Sequence, residues 1–184
     1  LVQENPQGVL FIGAHSWARK LALHLQHAGF RVIMADSSVR NVENAIQEGL
    51  TAYQGDVLTE SIRDKINFSG IGNVLALTPN DEVNSLASLH FKNIISEPNI
   101  FQLAYRGENE NPDISLPQLS GQTLFGKDIT YDNLSLRFNT GAGLYAVDIH
   151  DVEQFKKKLE SLVPLFVITS EKELVMWTVD NPPN

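Results

Sequence analysis

The run Gly8-Val9-Leu10-Phe11-Ile12, with the turn that follows it, constrains this chain most. Five residues without a polar side chain read as a strand buried on both faces, which a parallel sheet covered by helices provides. Gly13-Ala14-His15-Ser16-Trp17-Ala18 comes next. From Trp17 the apolar positions recur at helical spacing through Leu21, Leu25 and Ala28, with Ala18 and Ala22 beside them, until Gly29 stops the helix. Strand, glycine turn, helix is how a doubly wound α/β sheet begins. Its complete fingerprint is G-x-G-x-x-G: the first glycine makes the tight turn, the second lets the backbone approach a pyrophosphate, and the third lets helix and strand pack closely. Gly13 keeps the turn and Ala18 is a tolerable third position, but His15 stands where the backbone should be bare. Asp36, about 20 residues further on, closes the next strand where an acid would meet a ribose hydroxyl.

The same rhythm continues to about residue 105. Strands are expected at Arg31–Ala35, Thr51–Gln54, Asn73–Thr78 and Ile100–Tyr105. Helices are expected at about Val39–Glu48, Leu58–Ile66 and Asn80–Ile95. Alternation of this kind predicts a parallel, Rossmann-like doubly wound sheet over residues 1–107. Residues 108–120 carry Asn109, Asn111, Pro112 and Pro117 and read as a linker. A smaller α+β lobe is expected over 121–184, with strands near Thr123–Phe125, Leu134–Phe138, Leu144–Ile149, Leu165–Ile168 and Glu173–Val179, and a helix over about Val152–Leu162. The chain starts without methionine and ends just after a strand-like run, so it reads as a piece of a longer protein.

Composition narrows the function classes. With 184 residues, a net charge of −8 and no cysteine, the chain has no disulfide, no thiol nucleophile and no thiolate metal site. Its acidic balance argues against nucleic acid, because phosphate neutralisation needs clustered Lys and Arg. Lys156-Lys157-Lys158 lies in an apparent helix bounded by acids and reads as a solvated face. No apolar run reaches the ~18 residues of a membrane span. His24, His27, His90 and His150 are scattered without metal spacing, and Ser16 lacks the G-x-S-x-G frame of a nucleophile elbow.

In an open parallel sheet, ligands bind outside the carboxyl ends of the strands. Those ends carry Gly13, Ala14, His15 and Ser16; Asp36 and Ser37; Gly55, Asp56 and Val57; and Thr78 and Pro79. Asp36 suits a ribose diol or a helix cap, and Asp56 suits an adenine amino group or a cap. Thr78 lines the site or simply ends a strand, and Trp17 is a packing residue or a stacking platform. At its ordinary pKa, His15 is able to carry charge toward a phosphate; sterically, it hinders a pyrophosphate. The residues leave open a mononucleotide such as AMP or ADP, an intact dinucleotide, or an empty site.

Val9-Leu10-Phe11-Ile12-Gly13, the acid after strand two, Gln54-Gly55-Asp56 and above all Leu75-Ala76-Leu77-Thr78-Pro79-Asn80-Asp81-Glu82-Val83-Asn84 resemble a TrkA-N or RCK (regulator of K⁺ conductance) domain. The form looks like that in the cytosolic tail of bacterial sodium/proton antiporters of the cation:proton antiporter class. The resemblance implies a non-catalytic regulatory domain on the cytoplasmic face, fused to a membrane-embedded transporter. It implies homodimers or higher homo-oligomers, and binding of an adenine nucleotide (AMP, ADP, ATP or NAD). Carried over, Gly13, Asp36, Asp56 and Thr78 match the family's ligand contacts. Ser16 and the helix amides would then meet phosphate, with Asp36 on ribose and Asp56 and Val57 flanking the base. His15 departs from the pattern at the second glycine. Two rivals stand beside this reading. One is a nicotinamide-dependent oxidoreductase, for which no Tyr-x-x-x-Lys or His–acid pair suggests itself. The other is a structural assembly domain with a vestigial site.

Overall fold

In the computed structural model, which describes residues 6–94, 99–105, 121–149, 155, 157 and 162–180, the strands β1 (Gly8–Ile12), β2 (Val32–Asp36), β3 (Thr51–Gln54), β4 (Ile71–Ala76), β5 (Ile100–Gln102) and β6 (Gln122–Thr123) form one parallel sheet. Their order is β3-β2-β1-β4-β5-β6, so the chain reverses direction across the sheet between β1 and β4. That reversal opens a crevice at the carboxyl ends of those two strands.

Both sheet faces are covered, which explains the unbroken burial of β1 and β4. On one face α1 (Ser16–His27) packs Trp17, Ala18, Leu21 and Leu25 against Val9, Phe11, Met34 and Leu75. On the other, Ile62 of α3 (Glu60–Arg63) and Ala87 and Phe91 of α4 (Asp81–Phe91) cover Leu10, Ile12, Ile33 and Val74. Helix α2 (Val39–Gln47) begins at Ser38, whose hydroxyl accepts from the Asn41 amide. Asn80 caps α4 in the same way, accepting from Val83.

The first three strands fall where they are expected to within a residue, the fourth begins and ends two residues earlier than Asn73–Thr78, and the fifth is shorter than expected. The third helix is also shorter, because Asp56 Oδ1 accepts from the Leu58 amide and turns residues 57–59 before helix begins. The fourth helix ends earlier than the expected Ile95, at Phe91 with Lys92 as its C-cap and a turn over 92–94, and the expected linker lies outside the described residues.

The later part of the chain departs further from expectation. Residues 134–138 are not a strand: they lie in α5 (Tyr131–Asn139), capped by the Thr130 hydroxyl, which accepts from Asn133. Leu134 is buried and Phe138 stacks on Trp17, an i, i+4 pair on one face, while Leu136 is 64% exposed. No strand forms over 144–149, where Tyr145, Val147 and Ile149 are exposed. The helix expected over 152–162 lies largely outside the described residues. Strands β7 (Phe166–Ile168) and β8 (Leu174–Met176) pair antiparallel as a small second sheet. Their lobe joins the first through β6, which pairs with β5, and the chain after β8 is bonded to the β6 segment: the Phe125 amide donates to the Trp177 carbonyl and the Val179 amide to the Thr123 carbonyl. Leu124, Phe125, Leu134, Leu174 and Met176 belong to the same hydrophobic cluster as α1.

Candidate functional site

The switch-point crevice widens into a cleft of about 440 Å³. It is lined by Gly13 and His15 after β1, Asp36 and Ser37 at the end of β2, Asp56 and Val57 after β3, and Thr78 and Pro79 after β4. Four strand ends separated in sequence thus meet at one place. Ala14, Ser16 and Trp17 do not line it. Trp17 is buried toward α5, its indole N–H donating to Ser135 Oγ at 3.1 Å, so its ring packs one helix on another. Ser16 is exposed at the first position of α1.

Gly13 has φ +106°, a conformation that L side chains rarely adopt, and an added Cβ would lie 3.3 Å from the Leu77 carbonyl oxygen. The turn glycine is therefore demanded by the backbone. After it, α1 starts without a side-chain cap, because the residue at its N-cap is His15 and the imidazole points elsewhere. The first amides of a helix have no partner within it and carry the positive end of its dipole, an arrangement suited to an anion.

Asp36 both builds the turn and faces the cleft. Its Oδ2 accepts from the Ala14 amide at 2.7 Å and from Asn41 Nδ2 at 2.9 Å, and its Oδ1 accepts from the Ser38 amide at 2.8 Å. A carboxylate offers about four acceptor positions, so one remains, on Oδ1. That suffices for a single hydroxyl, not for both oxygens of a diol. Asp56 caps the turn at Leu58 and is exposed at the cleft's rim.

Thr78 serves its own loop. Its hydroxyl donates toward Asn84 Oδ1 at 2.7 Å, while Asn84 accepts from the Thr78 amide and donates to the Thr78 carbonyl. Asn84 thus fixes the β4–α4 turn from inside the helix. Sequence reasoning did not single out its role, nor those of Asn41, Arg19 and Tyr131. Arg19 is buried on α1; its Nη1 donates to the Ala14 carbonyl at 2.8 Å and its Nε pairs with Glu48 at 3.0 Å. A lone arginine between Ala18 and Leu21 on an otherwise apolar helix face was the available signal.

His15 does not carry charge toward a phosphate. Its Nε2 lies 2.7 Å from the Leu77 carbonyl oxygen, which only accepts, so the proton is on Nε2. Burial pushes its pKa down to about 4, against the raising influence of the Leu77 bond and the Asp36 charge, with Arg19 lowering it further. The ring is neutral at pH 7, and its Nδ1 is buried without a partner. Trp17 and Tyr131 hold it, with ring centroids 4.3 and 4.9 Å away. Among the described residues, no group of three His, Asp or Glu side chains is placed to hold a metal, and no helix is long and apolar enough to cross a membrane.

Strand order and the glycine turn define a Rossmann-like, doubly wound domain. The chain belongs to the TrkA-N domain family, whose model matches residues 9–112. No curated relative matches it. Among solved structures it is similar to the NAD(P)-binding domain of an exopolyphosphatase-related protein from Archaeoglobus fulgidus, with 18% identity and a TM-score of 0.52 over 73% of this chain and 96% of that one. It is also similar to the TrkA-N domain of the inner membrane protein ybaL from Escherichia coli, with 12% identity and a TM-score of 0.49 over 85% and 98% of the two chains. A third is the GsuK channel bound to NAD, with 14% identity and a TM-score of 0.48 over 60% of this chain and 20% of that one. At such identities the first of these likenesses shows a shared fold.

Proposed function

We propose that this chain is a non-catalytic, ligand-sensing domain that takes an adenine nucleotide in the cleft and thereby regulates a monovalent cation transport system. The observation that carries the reading is the convergence of Gly13, His15 at the N-cap of α1, Asp36 and Asp56 on one cleft at the switch point. In it the α1 amides would face phosphate, the open Oδ1 position of Asp36 would take one ribose hydroxyl, and Asp56 would flank the base. Membership of the TrkA-N family supports the regulatory role, and the name of the Archaeoglobus neighbour fits a nucleotide in this fold. The state of His15 favours sensing over chemistry, since one ring nitrogen is bound to backbone and the other is buried without a partner. A second copy of the chain and a membrane-embedded transporter domain, with this domain on its cytoplasmic side, are the partners that the family suggests.

Regulation requires that ligand bind one arrangement of the domain better than another. Thermal unfolding with and without AMP, ADP, ATP and NAD tests the binding. Ligand at about 100 times its dissociation constant adds about 2.7 kcal/mol of stability. Asp36→Ala should abolish that gain. A panel that leaves the wild-type transition unmoved refutes the reading and favours a structural assembly domain. Turnover of a nicotinamide cofactor would favour an oxidoreductase instead.

A further inference from the structure

We propose that His15 is a selectivity plug, closing the crevice between β1 and β4 and restricting the cleft to adenine mononucleotides. This rests on the reading of the cleft as an adenine-nucleotide site. A dinucleotide on a doubly wound sheet lies across the switch point, one half on each side, with its pyrophosphate over the glycine turn. Here the imidazole spans that line. It leaves the backbone at the start of α1, beside Gly13, and ends on the carbonyl of Leu77, the residue that follows β4. The bond of 2.7 Å ties the two sides of the crevice together.

The ring is also held by aromatic neighbours. Tyr131 meets it nearly edge-on, at 84°, and Trp17 lies against it at 4.3 Å, itself anchored to Ser135 and stacked on Phe138. Swinging His15 aside requires displacing α5 or breaking into this cluster. The cleft itself passes over the ring, from Asp36 and Asp56 on one side to Asn80, Val83 and Tyr131 on the other, so the imidazole stands in its path. Its floor there is the ring and the Leu77 carbonyl it is bonded to, where a pyrophosphate would need bare backbone. Space for an adenosine and its phosphate lies on the Asp36 side, where the acceptors are. The half-site that a second nucleoside would need lies beyond the ring.

The test is calorimetric titration of the chain with AMP and with NAD, in wild type and in His15→Gly. Glycine is a tolerated N-cap, and the backbone at His15 is extended (φ −69°, ψ 171°), so the variant has no backbone reason to misfold. His15→Ser, which supplies a capping hydroxyl, repeats the test on a firmer helix start, and circular dichroism checks that both variants are folded. Wild type should prefer AMP by about tenfold or more, and both variants should lose most of that preference by gaining NAD affinity. Equal wild-type affinities, or a preference that survives in folded variants, overturn the plug and leave the nucleotide site standing. A wild type that binds neither nucleotide overturns the site and the plug together.

Discussion

Acid should destabilise this protein through one imidazole in a pH range where most carboxylates are still ionised. In the unfolded chain His15 takes a proton near its ordinary pKa of 6.5, whereas in the fold burial holds it near 4. Between those values the unfolded state binds more protons than the native state, so stability is full above pH 6.5 and falls as the pH drops toward 4. The whole effect is 2.5 pH units at about 1.36 kcal/mol each, or about 3 kcal/mol, of which about 2 kcal/mol is lost between pH 7 and 5. Against a total stability of about 5–15 kcal/mol, that loss is easily measured. Other groups titrate too, so the informative quantity is a difference. His15→Gln keeps an N–H able to reach the Leu77 carbonyl but has nothing to titrate. Urea unfolding of both proteins at half-unit steps from pH 7 to pH 4.5 should show the wild type losing about 2 kcal/mol relative to the variant by pH 5. Parallel curves would show that the ring is not buried as described, and the argument for its neutral state would fail.

Two further predictions probe the frame around the site. Gly13→Ala puts a Cβ at φ +106° and 3.3 Å from the Leu77 carbonyl oxygen, and should cost about 1–2 kcal/mol in chemical denaturation; a loss below a few tenths would mean the turn relaxes freely. The register of α5 is tested by truncating its two leucines. Leu134→Ala, at 4% exposure, should cost about 2–5 kcal/mol, while Leu136→Ala, at 64%, should stay within about 0.5 kcal/mol. Similar losses at both would point back to another packing of this segment.

How much of this was legible in the sequence depended on distance along the chain. β1 and β2 stood out as apolar runs and the short, half-polar β3 by its place between Gly49 and Gly55, and the strand ends could be assembled into a cleft by the rule of parallel sheets alone. Leu134-Ser135-Leu136-Arg137-Phe138 misled because five residues satisfy a period of two as well as an i, i+4 pair, and Leu136 lent weight to the wrong one. The better signal was Thr130, a good cap, with Asp132 in the first turn after it. The acid at Asp36 was visible, but not that the Ala14 amide and Asn41 had already claimed most of its acceptor capacity. The orientation of His15 was beyond reach, since it is decided by Leu77, 62 positions away, and by an α5 that the pattern had read as a strand.

The indole of Trp17 finds its hydroxyl partner 118 positions later in the chain. Contacts of such separation form late, because the intervening loop must first be closed. As the chain emerges from a ribosome, the first lobe has its strands and α1 well before α5 exists to cover Trp17 and brace His15. Tyr131, which lines the cleft, comes from α5, so the cleft has its full wall only when α5 is packed on Trp17. The completed pocket thus reports that α5 is in place.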